Sequence, residues 1–426
     1  MQATVVERGK QTVKIEIEIP LSGTSMLKSE EAIQAALNEA GTLASAEALQ
    51  RFDTDGAPID IGSTRYTSKG QQPKTYQTPY GEAVVCRHVY QSPQGGTTFC
   101  PLEQRARIIL TATPFFAKQI SGKYAEMAGA RVVRDLKANH GRSVSLCLVQ
   151  DIATVVGSIA QAKEEHWQYA TPPLDSPIAT IGIGVDGTCL LLMEDGKRQA
   201  MVGTISLYDK EGKRQHTIYL AAQPEYGKDN FYQRLDREIK RMVKMYPRAH
   251  VTGVADGASD NWTFLGKYTK DECLDFWHAV EYLADAATAA HPRNQQKKQQ
   301  WLEDWRHRLR HEVGGAGRVL DEMKSMKTRG LTSTVKEKLE AAITYFANHK
   351  HQMKYAQRAA AGLPIGSGVT EAACKTLVKM RMCRGGSKWT EEGAGIVLTL
   401  RALSYTNGRW AQFWDKLDQY GFPIKL

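Results

Sequence analysis

Three acidic residues, Asp186, Asp256 and Glu371, carry the chemistry that this sequence offers. Asp186 follows a run of apolar and β-branched residues, Ile-Ala-Thr-Ile-Gly-Ile-Gly-Val over 178–185, and precedes Gly187. Such a run, closed by an Asp-Gly turn, reads as a buried strand. A carboxylate at its buried end is costly unless a cation or hydrogen-bond donors meet it, so chemistry is expected to begin there. The device recurs where His-Val-Thr-Gly-Val-Ala over 250–255 runs into Asp256-Gly257. Glu371 belongs instead to a helix that starts at Ser367 or just after, with Lys375 and Lys379 spaced by four on its face. Those lysines are either ion-pair partners of Glu371 or contacts to a phosphate beside it. Asp186 and Asp256 are 70 residues apart and Glu371 follows 115 later, and a chain with 46 acids offers many such trios.

What singles this trio out is the order of elements around it. The strand over 178–188 is followed by two more, 200–207 and 217–222, across Glu194-Asp195-Gly196-Lys197 and Asp209-Lys210-Glu211-Gly212. Polar turns containing Gly make these an antiparallel meander. A helix over 231–246 presents Leu235, Ile239, Met242 and Val243 on one face. After the strand at 250–255, a third strand candidate over 273–278 runs directly into a helix over 279–290. Residues 293–361 are helical and strongly charged. Trp301, Trp305 and Leu309 form one apolar stripe, and Val335, Leu339, Ile343 and Phe346 another, with Thr334 and Glu337 in capping-box spacing. These stripes are the core of an inserted helical subdomain. Meander, helix, strand, strand, helix, insertion, helix is the order by which a ribonuclease H-like core brings three such acids together. Gly182, Gly184 and Gly187 also match a dinucleotide fingerprint, but they lie within a strand and more strand-like sequence follows, where that fingerprint requires a helix.

The remaining chain is read as DNA-handling. Ala170-Thr171-Pro172-Pro173-Leu174-Asp175-Ser176-Pro177 is a linker, because its prolines fix φ and remove donors. Before it, helices over 115–127, 131–138 and 144–159, with Asn139-His140-Gly141-Arg142-Ser143 between the last two, give a helix-turn-helix outline that an ordinary three-helix cluster matches equally well. Arg142 and Ser145 are its DNA-contact candidates, Ser143 or Ser145 also being the N-cap. Earlier still come an alternating strand over 12–19, a helix over 29–52 and a loosely organised extended stretch over 53–82. In that stretch Arg65, Tyr66, Lys69, Lys74 and Tyr76 interleave basic and aromatic residues. A hairpin over 84–98 is flanked by Cys86 and Cys100, which lack the C-x-x-C partners of a zinc site. Net charge is +10, which favours a polyanionic partner. Seven scattered cysteines, no stretch of membrane-spanning length and no signal pattern point to a soluble cytoplasmic protein.

From about residue 80 onward the sequence resembles the DDE transposases of bacterial insertion sequences, of the Mutator-like type and closest to their Kra group. The resemblance rests on Gly184-Val185-Asp186-Gly187-Thr188, Ala255-Asp256-Gly257 and Asp275-Phe276-Trp277-His278-Ala279-Val280-Glu281-Tyr282-Leu283. It continues in Pro364-Ile365-Gly366-Ser367-Gly368-Val369-Thr370-Glu371 and in Cys383-Arg384-Gly385-Gly386-Ser387-Lys388-Trp389. It implies that Asp186, Asp256 and Glu371 are catalytic metal-binding acids and that Asp275 and His278 form an accessory Asp-x-x-His pair. The bland alternative for that pair is a helix-capping Asp and a structural His. Cys86 and Cys100 depart from a fuller zinc ribbon in relatives, so zinc is not expected.

Three hard carboxylates suit Mg²⁺, with Mn²⁺ as a substitute. Two ions about 4 Å apart would activate an attacking oxygen and stabilise a leaving one. The expected fold is α/β: a ribonuclease H-like core (170–292 and 363–426) with an inserted all-helical subdomain (293–362). Ahead of it lie an α+β region with a ribbon-like hairpin (1–102) and a helix-turn-helix-like DNA-binding domain (103–169). The expected function is a DNA transposase that binds its element's terminal inverted repeats and target DNA as a homodimer or larger assembly, in the bacterial cytoplasm at the nucleoid and without a membrane. Lys375, Lys379, Arg381, Arg384, Lys388 and Trp389 are further DNA-contact candidates. The alternatives are a nuclease without strand transfer and an idle, transposase-derived regulator.

Overall fold

A computed structural model describes residues 3–225 and 228–422 of the 426-residue chain. The chain is mixed α/β and divides into two compact units. One spans Thr171–Leu398 with Tyr405–Asn407; the other holds the residues up to Ala170, Thr399–Ser404 and the described residues from Gly408 on. The expected core continues instead to residue 426.

The first of these units is built on a five-stranded sheet. Its strands are β1 (Thr180–Leu192), β2 (Gly196–Tyr208), β3 (Arg214–Ala222), β4 (His250–Ala255) and β5 (Glu272–Leu274), in the order β5-β4-β1-β2-β3. β1, β2 and β3 are the antiparallel meander, while β4 runs parallel to both β1 and β5. Asp186-Gly187 does not end β1, which keeps register with β2 from Thr180↔Tyr208 to Leu192↔Gly196. The Asp-Gly turn signal is overridden because Cys189-Leu190-Leu191-Leu192 finds a full set of ladder partners across a tight turn. What ends near Asp186 is the parallel neighbour. β4 pairs with β1 only from His250↔Thr180 to Val254↔Gly184, so Asp256 and Asp186 each stand two residues beyond the last pair.

The period of two along β1 divides its faces. Ile181, Ile183 and Val185 are buried in a cluster with Ile205, Leu207 and the apolar stripe Phe231, Leu235, Ile239 and Met242 of helix Asp229–Met245. Gly182, Gly184 and Asp186 face the other way, where the helix bearing Glu371 lies. A Cβ on Gly184 would come within 2.0 Å of Thr370 Oγ1, so only glycine lets that helix approach.

The inserted helices are Gln295–His311, Gly315–Ser325, Ser333–His349 and the short Tyr355–Ala360. Their buried residues Trp305, Leu309, Val319, Leu339 and Phe346 form one cluster with Val254, Cys273 and Leu274 of the sheet edge and with helix Phe276–Ala290. The insertion therefore has no core of its own. Thr332, rather than Thr334, caps helix Ser333–His349 by accepting from Val335 N. A second difference matters for the site. The strand candidate over 273–278 stops at Leu274, and the helix begins at Phe276 with Asp275 as its cap.

The other unit carries the hairpin Ala3–Arg8/Val13–Ile17, helix Met26–Gln50 and a four-stranded sheet of Ile59–Ile61, Thr64–Gln77, Glu82–Ser92 and Gly95–Phe99. The stretch over 53–82 is thus mostly ordered strand. Tyr76 is fully buried and its hydroxyl meets Glu103, which also pairs with Lys74, so two residues of the basic-aromatic stretch serve packing. Helices Pro114–Glu126, Gly129–His140 and Leu146–Lys163 follow. No helix among the described residues is long and apolar enough to cross a membrane.

Candidate active site

Asp186, Asp256 and Glu371 line a single cavity of about 850 Å³, together with His278, Cys374, Lys375, Lys379 and Arg384. Each acid arrives by a different route. Asp186 projects from the middle of β1, on the face that Gly182 and Gly184 keep clear. Its Oδ1 accepts from Gly187 N at 2.6 Å and its Oδ2 from the Cys374 thiol at 3.3 Å. Burial first, and Asp186 second, push the Cys374 thiol far above its ordinary range, which keeps it a proton donor.

Asp256 follows β4. Its Oδ1 accepts from Ala258 N and from Asn261 Nδ2, both at 3.2 Å, and its main-chain oxygen accepts from the Tyr345 hydroxyl at 3.2 Å. Asn261 is buried on the short helix Ser259–Leu265, and Tyr345 stacks on Tyr282 with ring centroids 3.9 Å apart. The Asp256 shell therefore comes partly from the insertion.

Glu371 stands in the first turns of a helix that is α over Gly368–Ala373, π over Cys374–Lys379 and α again over Met380–Met382. A π segment is rare and concentrates at functional sites. Here its wider turn buries Cys374, Leu377 and Val378 while Lys375 and Lys379 stay exposed on the cavity with Glu371. Neither lysine is within ion-pair distance of Glu371. Glu371 Oε1 accepts from Ser367 Oγ at 2.6 Å and lies 3.9 Å from His278 Nε2. His278 Nδ1 is in turn 3.4 Å from Glu281 Oε2, so its ring sits between two carboxylates.

The tightest cluster of ligand-type atoms is Asp275, His278 and Glu371, all within 4.8 Å of one another. Asp275 is fully buried, however, and both its oxygens are engaged: Oδ1 accepts from His278 N at 2.8 Å and Oδ2 from Ser367 N. Asp186, Asp256 and Glu371 do not close to that distance as a trio among the described residues. A wider set of carboxylates fits Mg²⁺, which keeps several waters and takes one or two carboxylates per ion. The donor set fits too. No Lys or Arg among the described residues lies within ion-pair distance of any of the three, so charge is left for a cation to balance.

The other nominated residues divide. Arg384 lines the cavity and Lys388 is exposed outside its lining. Arg381 is buried with its guanidinium 5.1 Å over the Trp389 ring. Trp389 is a fastener: its main chain exchanges hydrogen bonds with Leu191 and Met193 at the end of β1, and its indole N–H donates to Met382 O at 2.9 Å. Arg142 is buried in the other unit, donates to Thr78 O and Gln77 Oε1, and lies 5.2 Å over Phe116. At 5% exposure its guanidinium serves packing inside that unit. Ser145 caps helix Leu146–Lys163 through Leu148 N at 3.1 Å. Sequence reasoning missed Cys374 and Tyr345, whose bonds to Asp186 and Asp256 depend on tertiary packing, and Ser367 and Asn261, whose bonds to Glu371 and Asp256 are local, four and five residues apart. Compared with models of protein families and with curated proteins, the sequence matches none.

Proposed function

We propose that this chain is a Mg²⁺-dependent DNA transposase with a ribonuclease H-like core, which cuts the terminal inverted repeats of its element and joins them to target DNA. The observation that carries the reading is convergence. Three acids from a mid-strand position, a strand end and a helix across an insertion line one cavity rimmed by Lys375, Lys379 and Arg384. The sheet order β5-β4-β1-β2-β3, with an antiparallel meander beside two parallel strands, supports the ribonuclease H-like assignment. Polyanion binding is supported by charge. Residues 293–361 hold 15 lysines and arginines against 7 aspartates and glutamates, which is +8 of the net +10.

In this reading Asp186, Asp256 and Glu371 would hold two Mg²⁺ ions, or Mn²⁺ in their place, and the ions would supply charge neutralisation to an in-line displacement at phosphorus. The protein's own groups do the rest. Lys375, Lys379 and Arg384 take the phosphates that flank the scissile one and fix the strand in the cavity. His278 lies beside Glu371, where it is placed to hold a proton near the reacting phosphate. Water as the nucleophile gives a cut end, and a DNA 3′-hydroxyl in its place gives strand transfer. The helical region ahead of residue 170 binds the element ends, and the protein works as a dimer or larger assembly on DNA, in the bacterial cytoplasm.

The test is incubation of the full chain with labelled element-end DNA and a target plasmid, with Mg²⁺ or with EDTA. Cut ends and joined products in Mg²⁺ alone support the proposal. Cutting without joining reduces the protein to a nuclease, and binding without either reduces it to a regulator.

A further inference from the structure

Ser367 occupies the N-cap of the Glu371 helix, yet it does not cap it. An N-cap hydroxyl ordinarily accepts from the backbone N–H two or three residues on. The Ser367 side chain makes no such bond; its hydroxyl donates to Glu371 Oε1 at 2.6 Å instead. Only its main-chain oxygen serves the helix, accepting from Thr370 N at 2.7 Å and Glu371 N at 2.9 Å. Ser367 itself is buried, at 5% exposure, while Glu371 reaches the cavity.

The position of Ser367 is itself fixed from outside the helix. Its N–H donates to Asp275 Oδ2, and the Phe276 N–H donates to Ile365 O at 3.1 Å. These two links clamp Ile365-Gly366-Ser367 onto the start of helix Phe276–Ala290. A Cβ on Gly366 would sit 3.2 Å from Asp275 Oδ2, closer than ordinary packing, so glycine keeps the clamp tight. This is where the chain re-enters the core after the insertion. We infer that Ser367 is the positioning residue that aims Glu371, and that Asp275 acts through Ser367 rather than as a metal ligand. One oxygen of Glu371 is committed to Ser367, which leaves the other for the cavity that Glu371 lines. The inference rests on the reading of Glu371 as a metal-binding acid.

The experiment is a Mn²⁺ titration of the full chain without DNA, followed by electron paramagnetic resonance, alongside thermal melting. Partners behind a metal ligand typically change affinity about 10- to 100-fold when removed. Ser367→Ala should weaken Mn²⁺ binding by about that factor, with the melting temperature held, because no helix N–H loses its cap. Ser367→Thr keeps a hydroxyl and should restore binding. Asp275→Asn cannot accept from both Ser367 N and His278 N in its original way, and should weaken Mn²⁺ binding in the same direction. The double variant should be no weaker than the worse single one, since both act on one arrangement. Additive losses would make Asp275 a ligand in its own right and overturn the inference. Unchanged binding in folded Ser367→Ala overturns it as well. Glu371→Gln separates the two readings. If that variant binds Mn²⁺ normally, the metal assignment of Glu371 fails; if only it weakens binding, the role of Ser367 fails alone.

Discussion

Asp186 stands within β1 and Asp256 directly after the end of β4, its parallel neighbour, each two residues past the last rung of their shared ladder, whereas Glu371 stands on a helix that returns from a long insertion and is aimed by a hydroxyl. The strand-borne pair is placed by main-chain register, which cannot shift by one residue without turning every side chain to the other face of the sheet. The helix-borne acid is placed by a short chain of side-chain bonds through Ser367 and Asp275. The lesson is one of robustness. Losing a neighbour should leave the first two acids where they are, while the third moves when any link behind it is removed.

The largest effect should come from the strand acids themselves. Asp186→Asn and Asp256→Asn preserve shape and one acceptor oxygen, so folding and DNA binding should persist while cleavage falls to background. A gel assay of cleavage beside a melting curve checks both halves, and retained cleavage in either variant removes that residue from the site.

Next comes Gly184→Ala, which strikes where the two modes of placement meet. Its new methyl group would lie 2.0 Å from Thr370 Oγ1 and 2.8 Å from Thr204 Oγ1, so the Glu371 helix must lift from the sheet. Overpacking of this kind costs about 1–3 kcal/mol, measurable by urea unfolding, and cleavage should fall further than stability alone explains. Adding Thr370→Ala removes the nearest atom and should recover part of both losses. No recovery would mean that the helix is not held off by this contact.

A smaller effect is expected from replacing Lys375 and Lys379 by Gln. If they contact phosphates, the slope of log affinity against log salt should become shallower by about one for each lysine, with the sequence preference unchanged. An unaltered slope would return the pair to mere surface charge. Smallest of all is Tyr345→Phe. It removes a bond to the main-chain oxygen of Asp256 and should cost about 1 kcal/mol of stability, with the cleavage rate unchanged, because the strand holds that acid. A large loss of rate would break the contrast between the two kinds of placement.

The parts of this arrangement that were legible in the sequence are those with local causes. The β-branched run before Asp186, the strand before Asp256, the stripe on helix Asp229–Met245 and the Trp305–Leu309 and Leu339–Phe346 stripes all announce burial through their period. The spacing of four also places Glu371, Lys375 and Lys379 on one cavity wall. What stayed hidden depends on partners distant in the chain. β1 continues through Asp186-Gly187 because β2 pairs with it, and nothing local overrules a turn dipeptide. The aromatic Phe276-Trp277 looked like strand, while Asp275 was already capping a helix through His278 N. A π segment leaves no distinct period over six residues, so the burial of Cys374, Leu377 and Val378 together could not be read from spacing.

The core that the inserted helices share with the edge of the sheet also bears on how this protein is made. Val254 and Leu274, on the strands beside Asp256, are covered by Trp305, Leu309, Leu339 and Phe346 together with helix Phe276–Ala290. During synthesis β4 leaves the ribosome long before those residues do, and domains fold as units once their chain is complete. The edge that carries Asp256 is thus not fully covered until residues near 346 have emerged, and Glu371 comes later still. A chain that stops within the insertion therefore leaves this edge of the sheet uncovered, and such exposed apolar surface invites aggregation.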